Sequence, residues 1–179
     1  MKNSTDVTAG EQEQQMDNDL HRLFMDKLSH LYSLEQQLTQ ALPKMIEAAQ
    51  SADLKSALES HLGETEGHVS RLEEVADELG EELQTKTCRV TETLVAEASA
   101  LIKQQAGKSS VDAAIIASAQ MAEHLEIAAY GTVRAWAKQM GYEEAVDLLE
   151  ATLDEEKAAD ETLTTIAKSS VNRAATAQQ

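Results

Sequence analysis

Between Gln120 and Tyr130 the chain reads Gln-Met-Ala-Glu-His-Leu-Glu-Ile-Ala-Ala-Tyr, which sets two carboxylates three residues apart inside an otherwise apolar stripe. Steps of three and four residues keep Ile116, Ala119, Glu123, Glu126, Tyr130, Val133, Ala137 and Met140 on one face of a helix. Glu123 and Glu126 therefore point inward. An unpaired carboxylate removed from water is costly, so the pattern demands partners from elsewhere in the chain.

The other helices supply them. One proline, seven glycines and 3% aromatic residues, with strand signals nearly absent, predict an all-α protein, and 179 residues fit one domain. Residues 1–17 are polar and aperiodic and are expected to form a disordered tail. Asp17 or Asn18 can then cap a first helix carrying Phe24, Leu28, Leu31, Glu35, Leu38, Leu42, Met45 and Ala49 on one side. Glu35 stands where a leucine is expected, and Pro43 is expected to kink the helix. A second helix, opened by Ser51 or Asp53 and stopped by Gly80, carries His61 and His68 on its stripe with Glu64 beside them.

Residues 81–110 read as a crossover with a short amphipathic helix of its own from Thr91 to about Gln105. Ser110 caps the helix that holds Glu123 and Glu126, which ends at Gly141. A last helix follows from Tyr142 to Ala167, and a disordered tail is expected over 169–179. Its stripe carries Glu156 and Asp160. The two hairpins also resemble each other: a shift of 91 residues lays Glu35 on Glu126, Leu58 on Leu149, Glu64 on Glu155 and Leu72 on Leu163. The shift favours Glu155 where the stripe favours Glu156, so the register of the last helix stays open by one residue.

The inward-facing polar set is then Glu35, His61, Glu64, His68, Glu123, Glu126, Glu156 and Asp160. Clustered carboxylates repel one another unless some are protonated or cations sit among them, and two divalent metal ions would neutralise them. Oxygen-rich ligation with some imidazole suits iron or manganese, as in carboxylate-bridged di-metal bundles. We take Glu126, the counterpart of Glu35, as the bridging ligand, and leave open whether His61, His68 or both bind metal. Glu66, Glu73, Glu74, Glu143 and Glu161 read as solvated. Tyr32 and Tyr130 lie near the cluster and could donate to a carboxylate, but ordinary packing at its rim is the preferred reading. His21, His30 and His124 fall off the stripes and read as solvent residues, and Cys88 as an inert thiol.

A formal charge of -17 disfavours nucleic acid and anionic membranes as partners. Cys88 is the single cysteine, no apolar run approaches the roughly 20 residues of a membrane span, and the first residues lack the apolar core of a secretory signal. A cytoplasmic protein is expected.

Five ordered segments carry a family resemblance: Leu-Tyr-Ser-Leu-Glu-Gln-Gln-Leu (31–38), Ala-Leu-Pro-Lys-Met (41–45), His-Leu-Gly-Glu-Thr-Glu-Gly-His (61–68), Glu-His-Leu-Glu-Ile-Ala-Ala-Tyr-Gly-Thr (123–132) and Asp-Glu-Glu-Lys-Ala-Ala-Asp-Glu (154–161). With them the chain, from about Leu20 to Ala167, resembles the YciE/YciF-type bacterial stress-protein family of the ferritin-like superfamily. The resemblance implies a ferritin-like antiparallel four-helix bundle of two hairpins over residues 18–168, a homodimer, and a di-metal site associated with stress responses. The sequence also resembles rubrerythrins in its paired glutamates, but Asp160 stands where a histidine is usual, Gly67 follows Glu64 by three, and no four-cysteine module is present. Two functions follow as expectations. One is a di-metal protein reacting with dioxygen or peroxide, with oxidoreductase or peroxidase-like activity; the other is a non-enzymatic helical dimer acting as a scaffold. Iron storage in a cage is a third, and a dimer argues against it.

Overall fold

The computed structural model describes residues 19–84 and 86–177, and these are all-helical, with no strand among them. The expected tail over 1–17, and the Asp17 or Asn18 cap, lie outside the described residues. Four helices are long: α1 (Asp19–Ala48), α2 (Ala52–Glu78), α4 (Val111–Met140) and α5 (Glu143–Ile166). The 17-residue α3 (Arg89–Gln105) lies in the crossover. α1 packs on α2 and α4, and α5 packs on the same two, so the long helices close a cycle of contacts, while α3 lies across α1 and α4.

The connections follow from local chemistry. Gly80 and Gly141 take positive φ of 69° and 77°, the left-handed conformation that glycine adopts without a Cβ clash. At each, the next residue's amide reaches back to close the helix, Glu81 to the Ala76 carbonyl and Tyr142 to that of Ala137, both at 3.0 Å. Between α1 and α2, Ser51 caps α2 by accepting from the Leu54 amide. The loop's own amides are taken by Asp112 in the first turn of α4, which accepts from Gln50 at 2.7 Å and Ser51 at 2.9 Å. Ser110, expected to cap α4, instead donates its hydroxyl to the Gln105 side chain. α1 stays helical through Pro43, whose ring lies on an exposed face.

The expected tail after Lys168 is corrected. The chain continues as a π-helical turn, Ala167–Val171, into the short α6 (Asn172–Thr176). Val171 is 3% exposed and packs with Leu42, Leu54, Ile115 and Leu163, so an apolar anchor missed in a polar stretch extends the helix.

Two large apolar clusters, with a smaller third of Leu34, Leu38 and Ala122, fill the interior. One gathers Phe24, Leu28, Leu72, Val133 and Leu149; the other gathers Leu42, Leu58, Ile116, Ala119 and Leu163. Apart from His21 and Asp112 near helix ends, the buried acids and imidazoles of the long helices fall between residues of these two large clusters: Glu35 between Leu31 and Leu42, His61 and His68 between Leu58 and Leu72, Glu123 and Glu126 between Ala119 and Ala129, Glu156 between Leu153 and Leu163. A polar layer is thus enclosed by dry packing on both sides. No described helix is long and apolar enough to cross a membrane.

Candidate metal centre

Six of the expected residues come together. His61, Glu123, Glu126 and Glu156 offer ligand atoms within 4.8 Å of one another, and Glu35, His68 and Glu156 form a second such group. All six are buried. Each long helix contributes, and Glu156 is the residue that belongs to both groups.

The individual contacts define two ends. His61 Nε2 lies 3.3 Å from Glu123 Oε1 and 3.9 Å from Glu156 Oε2. His68 Nδ1 approaches Glu156 Oε1 to 2.9 Å and Glu35 Oε2 to 3.7 Å, but without hydrogen-bond alignment to either. Its other nitrogen, Nε2, meets Glu155 Oε2 at 2.9 Å. Glu155 is in turn gripped through both oxygens by Arg71, at 2.5 and 2.8 Å. This brace fixes the ring and leaves Nδ1 facing the interior, as a partner on the distal nitrogen does for metal-binding histidines. Tyr130 donates its hydroxyl to Glu35 Oε1 at 2.5 Å. Sequence reasoning raised that role and preferred simple packing; Tyr32 donates instead to Glu73, away from the cluster.

The remaining expected ligands stand outside. The Glu64 side chain is 40% exposed and reaches the cluster only through His61 Nδ1 at 3.4 Å. Asp160 accepts from Gln120 Nε2 at 2.9 Å and lies 3.5 Å from the exposed His124. His21, expected in solvent, is buried against Tyr142, its Nδ1 lying 2.9 Å from the phenol oxygen. Glu155, the alternative to Glu156 that the hairpin shift favoured, stands outside both ligand groups and braces His68 instead; Arg71 was not anticipated and leaves no mark on the stripe of α2.

Electrostatics set the chemistry of this layer. Both oxygens of Glu126 and of Glu156, and one each of Glu35 and Glu123, are buried without a hydrogen-bond partner. Burial, then the charges of Glu35, Glu156 and Glu123, hold the Glu126 carboxyl well above its ordinary range. Burial and the neighbouring Glu156 push Glu123 up to about 10. Glu35 is raised by burial and by the Glu156 charge against the pull of His68. For His68 burial is the largest influence and acts downward, yet the Glu156 and Glu35 carboxylates together outweigh it and hold the ring at about 10. Glu155 is lowered by Arg71. Without cations the layer keeps protons that water would remove.

The residues fit a metal centre on three counts. Carboxylate oxygens with two imidazoles are hard-to-borderline donors suited to iron or manganese. The orphaned oxygens are where ligation would satisfy them. The two groups together hold four carboxylates, Glu35, Glu123, Glu126 and Glu156, whose full ionisation two divalent ions would balance.

Fold and site together define an all-helical protein with an enclosed carboxylate and imidazole layer able to hold metal. The chain belongs to the DUF892 family, described as a domain of unknown function, whose model matches residues 19–176. It is 42% identical to Protein YciF of Escherichia coli K12 over 154 residues, covering 86% of this chain and 93% of that protein. The crystal structure of the E. coli stress protein YciF superposes with a TM-score of 0.83 at 39% identity, covering 87% of this chain and 99% of that one. YcfI of Rhodopseudomonas palustris, whose description proposes a structural role, matches with a TM-score of 0.81 at 43% identity, over 84% and 96% of the two chains. A Xanthomonas campestris protein at 19% identity shares the fold, with a TM-score of 0.69. The family read from the five sequence motifs is therefore the family of the chain.

Proposed function

We propose that the chain is a stress-response protein built as a ferritin-like antiparallel four-helix bundle, with two iron or manganese ions in its core. One ion is held by His61, Glu123, Glu126 and Glu156, the other by Glu35, His68 and Glu156. The observation that carries the reading is the set of buried carboxylate oxygens without partners, gathered from three of the four long helices. The description of the E. coli relative as a stress protein supports the physiological setting. The metals would supply electron exchange with dioxygen or peroxide. This chain's residues hold them, balance their charge, and exclude water through the apolar clusters on either side.

The test is metal analysis after anaerobic reconstitution with iron(II) or manganese(II). About two ions per chain are expected from the ligand count, followed by consumption of peroxide by the iron form; fewer than about half an ion per chain would overturn the proposal. A homodimer and a cytoplasmic setting belong to the same proposal, read by sedimentation and by fractionation.

A second reading, a non-enzymatic helical dimer serving as a scaffold, is favoured by the structural role proposed for the R. palustris relative. It expects a melting temperature indifferent to metal.

A further inference from the structure

Beside the metal layer, where α3 lies across α1 and α4, the helices leave a cavity of about 230 Å³. Its walls are apolar, with Leu42 and Met45 from α1 facing Leu94 and Ile102 from α3. His61 and Glu123, both buried, close its inner end; Lys44 and Lys103, both exposed, stand at its mouth. The cavity therefore joins the surface to one of the two ligand groups.

Its size and lining limit what it can hold. An apolar cavity of about 150 Å³ accepts benzene, so this one has room for that many carbons and several more. The only hydroxyls on the walls are those of Ser99, already donated to the Val95 carbonyl, and Ser118, too few to pair the polar atoms of sugars, nucleotides and peptides, which would be stranded. The charges at the mouth are both positive in a chain of net charge -17. Among the described residues no acid lies within ion-pair distance of either lysine. Two unpaired cations at the rim of an apolar slot complement an anion carrying an apolar chain.

We propose that this cavity binds an amphipathic carboxylate, its head group between Lys44 and Lys103 and its aliphatic chain running inward to end against His61 and Glu123. The purpose of the site rests on the proposed metal centre, to which it delivers the chain end. Binding itself requires no metal, so the two readings can fail separately.

Decanoate is the probe, titrated calorimetrically into the full chain in metal-free and manganese-loaded forms. Saturable binding at about one equivalent per chain is expected below the concentration at which decanoate acts as a detergent. The exposed double variant K44E/K103E should weaken it about tenfold or more, because both rim charges are reversed, with an unchanged melting temperature. Decanol, which lacks the charge, should bind the wild type about tenfold more weakly on the same reasoning. Ala98→Trp, which fills the cavity from α3, should abolish binding; if that variant does not fold, the lysine variant and decanol still decide. No saturable binding, or binding equal in the wild type and K44E/K103E, overturns the proposal. Decanoate binding by a chain that takes up no metal would overturn the metal centre alone, and metal uptake without decanoate binding would overturn this inference alone.

Discussion

Without metal, the protein should show the inverse of the usual dependence of stability on pH. Glu123 is held at about 10 against an ordinary 4.5, so between those values the folded chain keeps a proton that the unfolded chain has shed. His68, at about 10 against 6.5, keeps another across the upper part of that window. Glu35 and Glu126 shift in the same direction. When the folded state binds more protons than the unfolded one, stability falls as pH rises, by about 1.4 kcal/mol per pH unit for each excess proton. One such proton between pH 5 and pH 8 amounts to about 4 kcal/mol, or roughly 10 °C in melting temperature for a chain of this length. Metal should act in the opposite sense, because its ligands must be deprotonated and it binds only the folded chain. The gap between loaded and stripped protein should therefore widen with pH. Differential scanning calorimetry in chelator, and then with manganese, reads both effects. A melting temperature of the stripped protein that stays level or rises from pH 5 to pH 8 would refute the reasoning.

Six substitutions test separate parts of the structure. Glu126→Leu removes a buried carboxyl whose oxygens have no hydrogen-bond partner, so it should stabilise the metal-free protein by about 1–3 kcal/mol in urea while lowering its metal content. Glu156→Gln should cost both ions, whereas Glu64→Gln and Asp160→Asn should each leave the metal content at the wild-type value, as measured by elemental analysis. Tyr130→Phe withdraws the hydroxyl from Glu35 Oε1, and should destabilise by about 1–3 kcal/mol in equilibrium unfolding. Asp112→Ala strands the Gln50 and Ser51 amides far from the metal layer; it should cost a similar amount, about 1–3 kcal/mol, with metal content unchanged.

How far the sequence reached can be argued from the angle each residue takes on its helix. At about 100° per residue, Leu163 lies only about 20° from Glu156 around α5 while Asp160 lies about 40° to the other side. The interior follows Leu153, Glu156 and Leu163, so Asp160 falls at the seam with α4, where Gln120 takes it up. Glu64 lies about 60° from His61 and on the far side from Thr65, which turns it to the rim. Spacing by threes and fours admits all these positions as one stripe; distinguishing them requires the direction in which neighbouring helices approach. The contact between Arg71 and Glu155 was out of reach for another reason. A contact between half-exposed residues on different helices leaves no periodic trace in either one.

The 91-residue repeat shows which part of the layer has internal correspondence. It pairs Glu35 with Glu126, both fully buried. It also pairs Glu64 with Glu155, and these share a role: each is a partly exposed acid against an α2 imidazole, Glu64 on His61 at 3.4 Å and Glu155 on His68 at 2.9 Å. The same shift sets Glu156 on Thr65, a buried hydroxyl that merely donates to the His61 carbonyl at 2.8 Å. It sets His61 and His68 on Thr152 and Ala159, so the imidazoles too lack counterparts. The repeat and the apolar stripe disagreed over Glu155 and Glu156 because they traced different things: one followed a pair of rim acids related by the shift, the other an acid that faces the core. The carboxylate common to both ligand groups is thus one that the repeat cannot supply, as it cannot supply Glu123, which it sets on Tyr32, and the position of Glu156 depends on the burial of α5 against α2 and α4.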